Sequence, residues 1–344
     1  MRLVVAVLAG LLLPAATASA ATVRVVPRAV EDVAECPSGT ERCSYYVIEY
    51  RGMAGEANSL EVSAGGADRT LRLRDTGADI APGTGCRSEG PRQVRCEVPA
   101  QALYHELEAF MGDMADDVSL TVEVLNLVRG GAGDDLLIGS TTTDRFDGGA
   151  GRDQLFGGDG ADFLDDTGPG TEGDVFAGGE GTDEISYRTR RGAVKVDLRD
   201  PAGSGGQAGE GDTFSGIETI RGGSGDDVLR AGDGRVLFYG GPGHDRLSGG
   251  DGDDFLTGET GNDTIRGGFG RDWLHGEEGN DGIDGGCDAD IQSGGTGRDR
   301  LYAADGSRDK LGGGPGTDFA RFDQADLVRH VERRERRDID GCAL

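Results

Sequence analysis

An apolar residue recurs at every ninth position along much of the chain, and glycines and polar residues fill most positions between. Alternation along a short strand points one side chain inwards, and this apolar position supplies it. The inward positions are Leu137, Phe146, Leu155, Leu164, Ile185, Leu229, Phe238, Leu247, Leu256, Ile265, Leu274, Ile283 and Leu301. Because one apolar residue in nine forms only a thin core, the pattern predicts short strands stacked in successive coils.

The nine-residue frame continues without a slip through nine units, from Gly222 to Tyr302, and a shorter block of four units covers residues 130–165. Glycines at the start of each unit permit positive φ, so the chain can turn sharply within about six residues. Two units would close one coil of 18 residues. Degenerate units at residues 112 and 121 extend the register backwards, so the coils begin before the glycine signature becomes visible.

Departures from the frame suggest the remaining boundaries. Residues 187–221 are close in length to two coils and are interpreted as a continuation with a protruding loop; a hinge between two separate rolls is the alternative. The only helical stretch expected before the coils is 101–111, and Gln292 at an inward position suggests a local register slip. The predicted segments are a secretory signal (1–20), a β-rich N-terminal cap (21–111), a first roll block (112–186), degenerate coils (187–221), a second roll block (222–321) and a basic C-terminal cap (322–344).

An aspartate stands at the sixth position in all four units of the first block and in eight of the nine units of the second, Val236 being the exception. Stacked coils would place like charges about 5 Å apart, which repel by roughly 1 kcal/mol even in water. A dication between coils reverses this repulsion, and an adaptable shell of six to eight oxygens is typical of calcium rather than magnesium. The predicted calcium ligands are Asp135, Asp144, Asp153, Asp162, Asp183, Asp227, Asp245, Asp254, Asp263, Asp272, Asp281, Asp290, Asp299 and Asp318.

Charge supports this interpretation. The 344 residues carry a formal net charge of -28, which favours cations as partners and argues against nucleic acid. Aromatic residues make up only 6%, a composition that would indicate disorder without the repeat. An aspartate that bonds its own turn would fit any one unit, but that explanation does not account for the recurrence at position six.

The N-terminus and the cysteines indicate export. Residues 1–20 combine Arg2, an apolar run to Leu13 and the small-residue pattern Ala18-Ser19-Ala20, which predicts a cleavable signal. The apolar run is shorter than the roughly 17 residues of a membrane span. Six cysteines in an exported chain favour disulfides, and nearness in sequence suggests the pairs Cys36–Cys43, Cys86–Cys96 and, as the remainder, Cys287–Cys342.

The units GGPGHDRLS at Gly240 and GGFGRDWLH at Gly267 match the motif GGxGxDxUx, and the chain resembles the repeats-in-toxin, or haemolysin-type calcium-binding, family over roughly residues 112–321. The resemblance implies an all-β fold, a right-handed parallel β-roll or β-solenoid, with multiple Ca²⁺ ions in its turns. It also implies a weak or missing site at Val236. The N-terminal signal departs from the C-terminal export signal of many family members.

The function predicted from these features is a secreted calcium-binding protein with a structural, surface or adhesive role and no catalysis of its own. Residues 21–111 contain no HExxH, no GxSxG and no phosphate-binding glycine loop with lysine. The alternative is a secreted enzyme whose active site lies in the N-terminal segment or the loop 203–211. Partners are expected to be calcium and a cell-surface or extracellular polymer, without nucleic acid or a membrane span.

Overall fold

The structure is a computed structural model, and it describes residues 20–29, 44–64, 70–97, 105–122, 124–169, 172–200, 205–303 and 305–337. Within these residues every regular element is a β-strand. The strands build a β-solenoid of about 12 turns, as the nine-residue frame predicted. The predicted right-handedness of the coil stays a prediction.

The strands before the clear repeats are β1 (Ala21–Ala29), β2 (Ser44–Arg51), β3 (Ser59–Ala64), β4 (Thr70–Asp75), β5 (Ile80–Pro82), β6 (Cys86–Gly90), β7 (Gln93–Glu97), β8 (His105–Gly112), β9 (Asp117–Thr121) and β10 (Leu125–Ala132). The first block and the joint contain β11 (Leu136–Ile138), β12 (Asp144–Ala150), β13 (Gln154–Gly160), β14 (Phe163–Asp165), β15 (Val175–Gly181), β16 (Glu184–Ser186), β17 (Val194–Asp197), β18 (Gly206–Gln207), β19 (Thr213–Ser215) and β20 (Thr219–Arg221).

The second block and the C-terminal segment contain β21 (Val228–Arg230), β22 (Leu237–Pro242), β23 (Arg246–Asp251), β24 (Phe255–Thr260), β25 (Thr264–Phe269), β26 (Trp273–Gly279), β27 (Gly282–Cys287), β28 (Ile291–Gly297), β29 (Arg300–Ala303), β30 (Lys310–Gly312), β31 (Phe319–Phe322), β32 (Leu327–Arg329) and β33 (Arg333–Arg336).

Three sheets form the walls of the solenoid. Sheet A has 15 strands in the order β32-β30-β28-β26-β24-β22-β20-β16-β14-β12-β10-β8-β2-β1-β5 and covers one side throughout. The other side is divided into sheet B, β19-β15-β13-β11-β9-β3-β4-β7-β6, and sheet C, β18-β17-β21-β23-β25-β27-β29-β31-β33. In the clean repeats neighbouring strands are parallel and 18 residues apart, as where Leu256 pairs with Leu274.

The core is the predicted ladder of inward side chains. Every predicted inward residue from Leu137 to Leu301 is buried, with no more than 2% of its surface exposed. Leu247, Ile265 and Ile283 lie above one another in sheet C through consecutive parallel pairings. Each apolar side chain is therefore covered by the coils before and after it, which is how so thin a core becomes dry.

The N-terminal strands continue the walls of the solenoid. The parallel pairing of β2 with β8 carries sheet A into the N-terminal segment, and the parallel pairing of β3 with β9 does the same for sheet B. Beyond these, antiparallel pairs such as β1 with β2 and β3 with β4 complete the two walls. The expected helical stretch at 101–111 was wrong, since its described part, from His105 onward, belongs to strand β8.

The interruption at 187–221 adds one strand to sheet A, since β16 pairs directly with β20. The interpretation of this segment as two coils was therefore wrong. Its extra length forms β17, which pairs forward with β21, and β19, which pairs back with β15. Phe214 stacks on Phe176 with 6.0 Å between ring centroids and closes the end of sheet B. Sheet A is thus unbroken where the opposite wall changes from sheet B to sheet C.

Two local details of register differ from expectation. In the degenerate unit at 112, Val118 pairs with Leu137, so the inward position lies one residue earlier than the frame predicted. The unit at 121 keeps its frame, with Val128 opposite Phe146. At Gln292 the predicted slip does not occur, because Gln292 pairs in register with Leu274, and its Nε2 donates to the carbonyl oxygen of Tyr302 at 2.8 Å.

Cysteines and the C-terminal segment complete the fold. Cys86 and Cys96 form the predicted disulfide between β6 and β7, with 4.0 Å between their Cα atoms. Cys287 is also disulfide-bonded, whereas its predicted partner Cys342, and both Cys36 and Cys43, lie outside the described residues. The basic segment after residue 322 contributes β32 and β33, the last strands of sheets A and C.

Candidate metal centre

The sixth-position aspartates lie in the turns and are joined from coil to coil by hydrogen bonds. The backbone N–H of Asp254 donates to Oδ1 of Asp272 at 2.9 Å, and the N–H of Asp272 donates to Oδ1 of Asp290 at 2.9 Å. The same bond joins Asp245 to Asp263 in sheet C at 2.8 Å. Each carboxylate thus completes the turn of the preceding coil, which explains why the position requires a short acidic side chain.

These bonds form three ladders, one along the edge of each sheet. The sheet B ladder contains Asn58, Asp116, Asp135, Asp153, Asp174 and Asp212. The sheet C ladder contains Asp227, Asp245, Asp263, Asp281, Asp299, Asp318 and Glu332. The sheet A ladder contains Asn126, Asp144, Asp162, Asp183 and Glu218, and continues after Val236 with Asp254, Asp272, Asp290, Asp309 and Asp326.

The second carboxylate oxygen defines the site. Among the described residues, Oδ2 is buried without a hydrogen-bond partner in Asp116, Asp135, Asp153, Asp162, Asp183, Asp245, Asp254, Asp263, Asp272, Asp281, Asp299 and Asp318. Buried polar atoms are normally hydrogen-bonded, so a recurrent orphaned oxygen needs an explanation. The recurrence in both blocks shows that it belongs to the repeat itself.

The orphaned oxygens face the glycine that opens their own unit. A Cβ placed on Gly267 would lie 2.1 Å from Asp272 Oδ2 and 2.4 Å from the carbonyl oxygen of Gly285 in the next coil. A Cβ on Gly276 would meet Asp281 Oδ2 at 2.3 Å and the carbonyl of Gly294 at 2.4 Å. Carboxylate and carbonyl oxygens from two coils therefore converge on one small space that no other residue type would leave open.

Burial sets the protonation of these groups. Desolvation raises the pKa of Asp135, Asp245, Asp272 and Asp281 to about 7, and it raises the pKa of Asp290 to about 8. Bonds from backbone N–H groups lower these pKa values, and neighbouring carboxylates raise them further. Because the charged form is disfavoured in the metal-free state, a cation that neutralises it would stabilise the fold.

The donor set fits calcium. Hard carboxylate and carbonyl oxygens are its preferred ligands, and they recur here without nitrogen or sulfur donors among them. A bound Ca²⁺ would supply the positive charge that the stacked aspartates lack. The residues that would hold it are the sixth-position aspartates through Oδ2 and the opening glycines through their carbonyl oxygens.

The structure does not treat all fourteen predicted ligands alike. Eleven have the orphaned Oδ2, and Asp144, Asp227 and Asp290 do not. Oδ2 of Asp144 accepts the backbone N–H of Ser140 at 2.6 Å, and Oδ2 of Asp227 accepts that of Gly223 at 2.7 Å. At the unit with Val236 the ladder bond to Asp254 persists at 2.8 Å, but the valine supplies no carboxylate there.

Sequence reasoning missed several ladder members. Asp116 was hidden by the one-residue shift and by its neighbour Asp117, whereas Asp309 follows the one extra residue in 303–312. Asp174 and Asp212 stand in the interrupted region, and their hydrogen bonds span 21 and 38 residues instead of 18. An acidic residue two positions before each inward apolar residue would have identified all four.

The joint between the blocks contains a different arrangement, which we call the Arg190 cluster: Asp166, Tyr187, Arg190, Glu210 and Asp212. Arg190 Nη2 donates to Asp166 Oδ1 at 2.6 Å and lies 3.3 Å from Glu210 Oε1, and both carboxylates are buried. The Tyr187 hydroxyl donates to Asp212 Oδ2 at 2.8 Å. Here a guanidinium supplies the positive charge next to a ladder aspartate.

Fold and turns together define a parallel β-solenoid with acidic, glycine-opened turns. The family described as RTX calcium-binding nonapeptide repeat (4 copies) matches residues 126–165, 212–235, 239–272 and 257–292. The repeat region of this chain belongs to that family, as the sequence resemblance predicted. No match was found among curated proteins. Within the described residues there is no helix long and apolar enough to cross a membrane.

Proposed function

We propose that this protein is a secreted, non-enzymatic calcium-binding solenoid whose folded state depends on Ca²⁺ and which serves a structural or surface role. The observation that carries the proposal is the set of buried, partnerless Oδ2 atoms beside glycine carbonyl oxygens. Calcium bound to the native turns and not to the unfolded chain shifts the equilibrium towards the folded state.

Several features support the extracellular setting. The first twenty residues have the composition of a secretory signal, and the Cys86–Cys96 disulfide is typical of oxidising compartments. Extracellular calcium modules bind at about 0.1 to 1 mM, the affinity range that a surface protein needs. The absence of catalysis is proposed because the buried carboxylates form regular ladders, which suit repeated ion binding better than a single reaction centre.

The test is a calcium titration of the protein without residues 1–20, followed by far-UV circular dichroism from an EDTA-treated start. We expect a steep gain of β signal with Ca²⁺ and little response to Mg²⁺, which demands stricter octahedral geometry. A spectrum already folded in EDTA and unchanged by calcium would contradict the proposal.

A matched pair of variants tests the site. Asp254→Asn with Asp272→Asn removes two orphaned carboxylates, whereas Asp251→Asn with Glu278→Gln removes the same charge from exposed positions of the same block. The first pair should shift the calcium midpoint upwards by severalfold, and the control pair should leave it within twofold. Equal shifts would mean that overall charge, and not the turn site, governs the response.

A further inference from the structure

A shallow groove crosses the outer face of sheet A in the second block, with a volume of about 540 Å³. Its rim is basic, with Arg235, Arg271, Arg308 and Lys310, and its floor includes the side chain of Trp273. All five side chains are exposed. A cationic groove on a chain with a net charge of -28 is a local reversal of the surface charge.

The arginines are regularly spaced. Arg235, Arg271 and Arg308 each stand two residues before a strand position that pairs along sheet A, at Leu237, Trp273 and Lys310. They therefore occupy every second coil, roughly 10 Å apart for strands about 4.8 Å apart. Asp253 and Ala289 occupy the coils between them.

The charges of the groove are only partly compensated. Asp253 lies 3.7 Å from Arg271, in an exposed ion pair of little expected stability. Among the described residues no acidic side chain forms an ion pair with Arg235 or Arg308. The buried Asp254 and Asp290 carry ladder bonds in the turns, to Val236 and Asp272. The rim therefore presents separated positive charges to solvent.

Beside the arginines lies an aromatic strip. Trp273 is 53% exposed although it stands in the middle of a sheet, between Phe255 and Ile291 in register. Phe255 contacts His275 with 5.5 Å between ring centroids and Tyr239 with 6.0 Å. An exposed aromatic strip of this kind marks an interaction site, because burying these side chains in a complex is favourable.

We propose that this groove binds a linear acidic polysaccharide with one carboxylate on every second sugar ring. A sugar ring advances such a polymer by about 5 Å, close to the strand spacing, so alternate carboxylates would meet alternate coils. The apolar faces of the rings would stack on Trp273 and Phe255. The inference names the extracellular polymer of the proposed function and rests on that function.

The spacing favours this polymer over nucleic acid. A nucleic acid strand carries a charge about every 3.4 Å, which is denser than the arginine row and would approach Asp253 and the acidic body of the protein. A sparsely charged polysaccharide avoids both penalties. Specificity would then come from Arg271 and Arg308 on either side of the ring bound at Ile291.

The experiment measures binding of hyaluronan decasaccharide, which alternates uronate and neutral rings, by calorimetry at saturating calcium. Neutral chitin oligosaccharide and an oligothymidine of similar length are the comparison probes. Arg271→Gln with Arg308→Gln and, separately, Trp273→Ala should each weaken hyaluronan binding about tenfold. Arg246→Gln with Arg266→Gln changes exposed arginines on sheet C of the same coils and should leave binding within twofold.

Circular dichroism with calcium is recorded for every protein, so that failure of the groove is separated from failure of the calcium-dependent fold. A calcium-folded wild type that does not bind hyaluronan, or binds the oligothymidine more tightly, overturns the polysaccharide proposal and leaves the proposed function standing. Equal weakening by the sheet A and sheet C arginine pairs also overturns it. A calcium-indifferent spectrum overturns the proposed function itself.

Discussion

The turns of the second block and the Arg190 cluster solve the same electrostatic problem in two ways. Both bring carboxylates together in buried positions at successive coils. In the clean turns Oδ2 of residues such as Asp263 and Asp281 is left without a partner, whereas Asp166 in the joint receives bonds from the guanidinium of Arg190 at 2.6 and 2.7 Å. One region needs a cation from solution, and the other carries its own.

The difference explains the architecture of the joint. The Arg190 cluster lies where sheet B ends and sheet C begins, so the opposite wall is interrupted just there. A joint that also depended on calcium would separate the two blocks whenever the ion was removed. With a covalently attached cation, the coupling of the blocks is independent of the calcium concentration.

The largest expected effect distinguishes the two regions by pH in the absence of calcium. Asp245, Asp272 and Asp281 have pKa values of about 7 in the fold and about 3.9 when unfolded, so the folded state binds more protons between these values. Their unfavourable contribution at pH 8 therefore fades as the pH falls to about 5. In EDTA we expect the melting temperature of the second block to rise by more than about 10 °C over this range.

Hydrogen exchange by mass spectrometry locates that effect. Protection of residues 237–302 in EDTA should increase from pH 8 to pH 5, after correction for the intrinsic exchange rate. With calcium present the trend should reverse, because protons compete with the ion for the same carboxylates. A calcium-free second block that is equally protected at both pH values would show that the ladder aspartates do not control its stability.

The next effect comes from the joint. Arg190→Met leaves the carboxylates of Asp166 and Glu210 buried without their cation, which should cost about 3 to 5 kcal/mol of unfolding free energy, with or without calcium. Urea denaturation in both conditions measures it. Arg199→Met, which breaks the exposed ion pair with Asp197, is the control and should cost less than about 1 kcal/mol. A loss confined to EDTA would mean that calcium substitutes for the guanidinium.

A smaller effect, with opposite signs in the two conditions, is expected at a single clean turn. Asp272→Asn preserves the shape of the side chain but removes the charge of an orphaned carboxylate. It should reduce the unfolding free energy by about 1 to 2 kcal/mol in calcium and increase it slightly in EDTA, where a buried charge is a penalty. Asp166→Asn should instead destabilise in both conditions. Thermal melts of both variants would contradict the comparison if the signs agreed.

The smallest effect restores a missing ladder member. Val236 is 4% exposed and stands at the sixth position, where its N–H already donates to Asp254. Val236→Asp should therefore add a carboxylate with the geometry of its neighbours, raising the unfolding free energy by about 0.5 to 1 kcal/mol in excess calcium and lowering it in EDTA. Val236→Asn, without the charge, is the control and should not gain stability from calcium.

Where the repeat frame is intact, the sequence was enough to place the site. The stacks Asp245–Asp263–Asp281 and Asp254–Asp272–Asp290 were predicted by counting, because a fixed coil length makes spatial neighbours 18 residues apart. The inward side chains followed from the same count. These are consequences of periodicity alone.

The rest depended on what insertions do in three dimensions. The strand pairings hold Asp174 and Asp309 in their ladders while the turns before them lengthen, so the frame is lost in sequence and kept in space. The Arg190 cluster could not be found by spacing, since its side chains come from segments 20 to 24 residues apart that meet only at the joint. The groove likewise appears only when alternate coils are stacked.

The hydrogen bond from each turn to the following carboxylate gives the rod a polarity. A cut on the C-terminal side of a coil strands a backbone N–H, as Asp254 would lose Oδ1 of Asp272, while a cut on the N-terminal side leaves only a carboxylate, which water solvates readily. Successive coils synthesised from the N-terminus therefore each finish the one made before. Assembly is vectorial, and the tail residues Asp326 and Glu332 are the last closures of two of its ladders.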